Sequence, residues 1–167
     1  MITLRFAWTF TISNGLDREV VMKKITGVLF ILHLLVGTGG MAGGFACLID
    51  PHSPLGAPVE MLQNSPFSSF LIPGILLFSV IGIGNFISAA VLTQSKKWSG
   101  YTSSISGWSL VIWIIVQCYM IQSIVFLHVL FFCIGSIQAV LAFLLLWDTK
   151  QFPASWIQKF TGTSPKN

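Results

Sequence analysis

ISGWSLVIWIIVQCYMIQSIVFLHVLFFCIGSIQAVLAFLLLWD, residues 105–148, carries no charged side chain before its final aspartate. As a single helix it would run about 66 Å at 1.5 Å per residue. A bilayer's hydrocarbon core is about 30 Å thick, so the run is twice as long as one crossing requires. It therefore folds back on itself. Gln122, Ser123 and His128 are the only polar cluster at mid-run and mark the turn, giving spans over 105–124 and 128–147.

Two further runs are long and apolar enough to cross: Ile25 to Ile49, which holds no acid or lysine, and Phe70 to Leu92. Of the 167 residues 54% are hydrophobic and 8% charged, against about 25% charged in a soluble domain. So little charge cannot cover a water-facing surface. The expected fold is all-α: a polytopic membrane protein with an antiparallel bundle of four transmembrane helices over 25–148. Residues 1–24 precede the bundle and residues 149–167 form a tail.

The charges sort by side. Arg5, Arg18, Lys23 and Lys24 precede span one, Lys96 and Lys97 lie between spans two and three, and Lys150, Lys159 and Lys166 follow span four. Residues 50–69 hold no lysine or arginine. The positive-inside rule puts both termini and the 93–104 connection in the cytoplasm, and a plasma membrane is the expected home. Trp98, Trp147 and Trp156 flank the same side. In the tail, Phe152, Trp156, Ile157 and Phe160 share one side and Pro153 suits a first turn, so a short interfacial helix is expected. The net charge of +4 is scattered over the ends and one loop; it is no nucleic-acid signature, and the lipid bilayer is the expected partner.

The first residues follow another pattern. Leu4, Phe6, Trp8, Phe10 and Ile12 alternate with Arg5, Ala7, Thr9, Thr11 and Ser13, a strand period without a partner strand. Asp17 to Val20 can be encoded by a purine-rich ribosome-binding sequence, and Met22-Lys23-Lys24 before an apolar run is a typical bacterial membrane-protein start. Residues 1–21 thus read as a translated leader or as a short amphipathic segment on the inner leaflet. The lysine pair, the apolar run and Cys47 also sketch a lipoprotein signal, but Gly44 and Phe45 stand where a leucine and a small residue are wanted.

Gly37-x-Gly39-x-x-Ala42, with Glu60 downstream, fits a dinucleotide fingerprint. That motif needs a strand–turn–helix unit, and here it lies inside a membrane span. In lipid, glycines let helix backbones approach. Gly39 and Gly43 are four apart, as are Gly40 and Gly44, and span two offers Gly74, Gly82 and Gly84. Close packing of spans one and two follows, or a homodimer through span one.

Few polar groups lie at depth. His33, Thr38, Asn85, Gln117 and Gln138, with Ser109, are candidates for interhelical bonding or for a pocket that binds a lipid-like headgroup or a quinone. On the outer loop DPHSPLGAPVEMLQNSPF, residues 50–67, Pro58 can open a short helix with Glu60 in its first turn. Asp50, His52, Glu60 and His128 form a polar cluster that reads either as caps and turns or as a site for an ion or a proton. Their spacing is no known ligand motif, so neither metal nor cofactor is expected. Cys47, Cys118 and Cys133 form no C-x-x-C and read as small buried hydrophobes. Cys118 and Cys133 are equidistant from the turn and would need facing rotations to pair.

The segments Gly39-Gly40-Met41-Ala42-Gly43-Gly44, Asp50-Pro51, Leu55-Gly56-Ala57-Pro58, Ser65-Pro66-Phe67 and Ile72-Pro73-Gly74 resemble a group of uncharacterised small bacterial four-helix integral membrane proteins, DoxX-like in layout. The resemblance spans about residues 30–150 and implies the fold. Some DoxX-like members are associated with quinone or thiol redox partners, yet no redox motif here matches residue by residue. Three functional readings follow: a non-enzymatic protein that binds lipid or a protein partner within the membrane, a redox-associated quinone- or lipid-binding subunit, and a small oligomeric transporter or channel.

Overall fold

The computed structural model describes residues 15–161, which form four long helices in an up-down-up-down bundle. Helix α1 is Gly15–Ile49. A loop with 3-10 turns at Pro54–Gly56 and Val59–Leu62 leads to the second crossing. That crossing has three pieces: α2 (Leu71–Leu76), a π-helical segment (Leu77–Ile83) and α3 (Gly84–Gln94). Helices α4 (Lys96–Ile121) and α5 (Phe126–Asp148) form the closing hairpin, and α6 (Ala154–Thr161) follows. All four crossings are long and apolar enough to span a membrane, so the chain is a multi-pass membrane protein.

The hairpin turns at the expected place. Gln122 adopts a left-handed backbone (φ 52°) and its N–H closes α4 on the Cys118 carbonyl at 3.0 Å, while its side chain bonds the Tyr119 carbonyl. Pro58 opens the turn that contains Glu60, although as a 3-10 turn. The loop's ends meet where the Phe70 N–H bonds the Pro51 carbonyl at 2.8 Å.

Two boundaries differ from the sequence reading. The third crossing starts at Lys96, not 105, and Ser95 alone breaks the helix before it. Ser, Thr and Gly between 99 and 104 read as a loop in water. Here Ser99 and Thr102 bond carbonyls of their own helix, and the glycines serve helix contact. The first helix reaches back at least to Gly15. Residues 15–21 continue α1, and the Arg18 guanidinium binds the Asp148 carboxylate at 2.6 Å, joining the start of α1 to the end of α5. This bridge is exposed and adds at most about 1 kcal/mol. The alternating residues 4–12 lie outside the described residues. Lys23, Lys24, Lys96, Lys97 and Lys150 share this end, called here the basic end; the 50–70 loop and the 122–125 turn form the loop end.

The surface is apolar, with Ile31, Leu35, Ile105, Ile112, Tyr119 and Val140 all turned outward. Inside, three apolar clusters stack along the bundle: Leu29, Leu92 and Leu145 at the basic end; Val36, Ile81, Leu110, Ile114 and Ile134 in the middle; Leu62, Phe70 and Met120 at the loop end.

Two glycine seams bring the backbones together. On α1, Gly37, Gly40 and Gly44 face the second crossing. A Cβ on Gly40 would stand 2.9 Å from the Gly82 nitrogen, and one on Gly44 2.6 Å from the Phe78 nitrogen. On α4, Gly100, Ser103 and Gly107 repeat the same 0-3-7 spacing against α5. There a Cβ on Gly107 would stand 2.8 Å from the Ala139 nitrogen. Gly39 and Gly43, expected in the first seam, stand beside it: Gly39 is exposed with Phe131 at 3.5 Å, and Gly43 meets only the end of Leu77. The reason is rotation. At 3.6 residues per turn, positions 37, 40 and 44 share a face that 39 and 43 leave.

Gly44→Ala and Gly107→Ala should therefore each destabilise the bundle by about 1–3 kcal/mol, because backbone must yield. Gly39→Ala should stay within about 0.5 kcal/mol of the parent. Equilibrium unfolding in detergent micelles measures all three, and equal effects at Gly39 and Gly44 would contradict the seam.

Candidate functional site

Between the basic-end and middle clusters lies a buried polar layer with one residue from each crossing: His33 on α1, Asn85 on α3, Ser103 on α4 and Gln138 on α5. None is exposed at all. The glycine seams make this possible, because side chains as short as Asn and Ser reach the bundle centre only when their backbones are close.

The hydrogen bonds assign the protons. Asn85 Nδ2 donates to the Ile81 carbonyl at 2.8 Å, so Asn85 Oδ1 faces the centre as an acceptor. His33 Nδ1 lies 2.7 Å from that oxygen and must carry the proton, since two lone pairs would repel at this distance. Gln138 Nε2 donates to the same oxygen at 3.1 Å. It also stands 3.0 Å from His33 Nδ1, which is then a contact between donors. His33 Nε2 is left as an acceptor for the Ser103 hydroxyl at 3.0 Å. The group thus joins all four crossings: His33 and Gln138 meet on the Asn85 oxygen, and Ser103 bonds His33. Gln138 Oε1 is buried without a partner. One turn away, the hydroxyls of Ser88 and Ser106 meet at 2.8 Å and Ser88 donates to the Thr102 carbonyl, closing α3 on α4.

Of the residues expected to share a pocket, His33, Asn85 and Gln138 come together, and Ser103 completes the group. Thr38 does not: five residues beyond His33 is about 140° round the helix, and its hydroxyl, exposed, bonds the Leu34 carbonyl of its own helix. Gln117 stands about 21 Å along α4 from Ser103, and Ser109 is only half-buried. Ser103 was hidden by the loop-like composition of its segment. Its signal was the Gly100-Ser103-Gly107 spacing, which repeats that of Gly37-Gly40-Gly44.

The outer-loop residues do not converge. Asp50 accepts the N–H groups of His52 and Ser53 and so shapes its turn. His128 is buried and its Nδ1 accepts the Val125 N–H, capping α5. His52 and Glu60 are exposed. Among the described residues no three His, Cys, Asp or Glu side chains are placed to hold a metal. The three cysteines are free thiols; Cys47 and Cys118 are half-buried, and Cys133 is exposed on α5.

Gln117 belongs to a second feature, a partly enclosed cavity of about 50 Å³ at the loop end. Cys47, Leu62, Phe70, Pro73 and Leu77 form one wall, and Trp113, Gln117, Met120 and Ile121 of α4 the other. The Trp113 indole N–H is buried without a partner. A donor left unpaired away from water costs about 1–3 kcal/mol. Trp113 lies about 12 Å along α4 from the helix end.

Comparison of the chain with known protein families, with curated proteins and with solved structures finds no match.

Asn85→Leu should cost about 1–3 kcal/mol, because it strips His33 Nδ1 and Gln138 Nε2 of their shared acceptor. Gln138→Leu should cost less, since it removes one donor to that oxygen together with the unpartnered Oε1. Unfolding of the two variants and of the double variant gives the coupling directly; a coupling near zero would mean that the short distances carry no stabilisation.

Proposed function

We propose that the protein is non-enzymatic and acts by binding lipid within the membrane. The observation that carries this reading is the loop-end cavity: its walls are mostly apolar and it lies among lipid-facing helices. The centre of the bundle argues in the same direction. Its polar groups bond one another across four helices, which suits a fixed scaffold better than a reacting or conducting path. A transporter would also need an oligomer to enclose a route between chains. A quinone-holding subunit would need room for a ring. An apolar cavity of about 150 Å³ holds benzene, three times the volume found at the loop end.

Native mass spectra of the protein released from detergent test the reading. The expected spectrum shows a retained adduct of phospholipid mass that survives activation. A bare protein across a range of gentle conditions would count against lipid binding and shift attention to a protein partner or a second copy.

We also propose a plasma membrane with both termini cytoplasmic. The basic end holds all five described lysines outside α6, and Lys97 sits 5.6 Å from the Trp98 ring, where an interfacial aromatic belongs. A reporter active only in the cytoplasm should work when fused after Asn167 and fail when inserted at Ala57. The reverse pattern would invert the topology.

A further inference from the structure

We infer that the basic end is a docking surface for the anionic phospholipid headgroups of the leaflet it meets, centred on Lys96, Lys97 and Lys150. The surface lies at the opposite end of the bundle from the loop-end cavity, and it adds a headgroup charge to the lipid-binding reading above.

Four observations carry it. The first is charge. Lys23, Lys24, Lys96, Lys97 and Lys150 are all exposed. The acids at this end are Asp17, Glu19 and Asp148, and the Asp148 carboxylate is already held by Arg18 at 2.6 Å. The 50–70 loop and the 122–125 turn hold Asp50 and Glu60 and neither lysine nor arginine, so the loop end offers the same headgroups no cation. Convergence is the second. Gln151 Nε2 donates to the Lys97 carbonyl at 2.9 Å and pins the end of α5 to the start of α4. The backbones that carry Lys96, Lys97 and Lys150 thus meet at one patch, where an anion between the ammonium groups would offset their mutual repulsion. The third observation is the backbone of Lys150, which is left-handed at φ 52°. Its N–H bonds the Trp147 carbonyl and the Gln151 N–H bonds the Leu146 carbonyl, a Schellman turn that closes α5. Glycine fills that position without a Cβ penalty. Lysine costs backbone strain there and adds an ammonium to the patch. Depth is the fourth. Trp98, Phe152 and Trp156, beside these lysines in the chain, are each more than half exposed, while Ala154 is fully buried where α6 meets α5. Aromatic side chains so placed sit at headgroup level, which sets the neighbouring ammonium groups among phosphates. An acidic soluble protein would meet the lysines and leave those rings in water, so the bilayer is the occupant that fits both.

The test offers lipid-stripped, full-length protein equal amounts of phosphatidylglycerol and phosphatidylcholine with identical chains. Retained adducts are counted by native mass spectrometry. The expected result is at least about fivefold more phosphatidylglycerol, the effect of about one lysine at an anionic surface, shrinking as ammonium acetate is raised. Lys150→Gly removes the ammonium and relieves the left-handed strain. It should unfold at the parent's temperature or above, yet prefer phosphatidylglycerol at least about twofold less. Lys96→Gln, Lys97→Gln and Lys150→Gln together should hold the two lipids about equally. Equal retention by the parent overturns the headgroup surface and leaves lipid binding at the loop-end cavity standing. Retention of neither lipid overturns both. A preference that ignores salt, or one that Lys150→Gly keeps in full, overturns the assignment to this patch. So does displacement of phosphatidylglycerol by polyglutamate at equal charge, which would give the surface to an acidic protein. Lys150→Gly decides by itself if the triple variant does not fold.

Discussion

Inside a bilayer there is no water to satisfy a polar group, so every donor and acceptor at depth must find its partner within the protein. The rest of this bundle depends on that constraint. It makes lone polar side chains costly, and His33, Asn85, Ser103 and Gln138 lie together. Their short reach requires close backbones, and Gly40, Gly44, Gly100 and Gly107 supply them. Burial of apolar surface offers no such drive between helices in lipid, where tails are as apolar as leucine. Close packing and the polar layer therefore hold the crossings together, and the apolar side chains of Ile31, Ile105 and Val140 are free to face outward.

The number of crossings and the hairpin were legible because length against membrane thickness decides them. The run from Ile105 to Asp148 is too long for any other solution, and Gln122 turns it. Three of the four central residues were legible too, since an amide or imidazole at depth stands out against an apolar background. Ser103 was not. A serine costs little in any context, and only its position between Gly100 and Gly107 marks it. The choice of Gly40 and Gly44 over Gly39 and Gly43 needed the facing helix, because both pairs have identical spacing. Nor did any residue announce the π-helical turn at Leu77–Ile83. Its residues Phe78 and Gly82 meet Gly44 and Gly40 of α1. The Trp113 cavity was equally hidden: a tryptophan in a span normally reads as packing, and its unpaired N–H appears only when its neighbours are placed.

Buried polarity thus occurs in two states. At the centre, four side chains from four crossings bond one another, and only Gln138 Oε1 is left over. Beside the loop-end cavity, the Trp113 indole N–H is buried without a partner. The first arrangement favours a single rigid structure, and the second leaves one buried donor unsatisfied. The cysteines take part in neither as bonded pairs.

The polar layer has a bearing on biogenesis. The bundle is two helical hairpins, each sealed by its own glycine seam: α1 against α2, the π segment and α3, and α4 against α5. His33 and Asn85 lie on the first hairpin, Ser103 and Gln138 on the second. Two hydrophobic hairpins can slide past one another in lipid with little change in apolar contact. A slip of one turn, however, would take the Gln138 amide from the Asn85 oxygen and part Ser103 from His33 Nε2, leaving both unpaired in hydrocarbon. The layer acts as a depth gauge for late assembly, telling the second hairpin where against the first it has arrived.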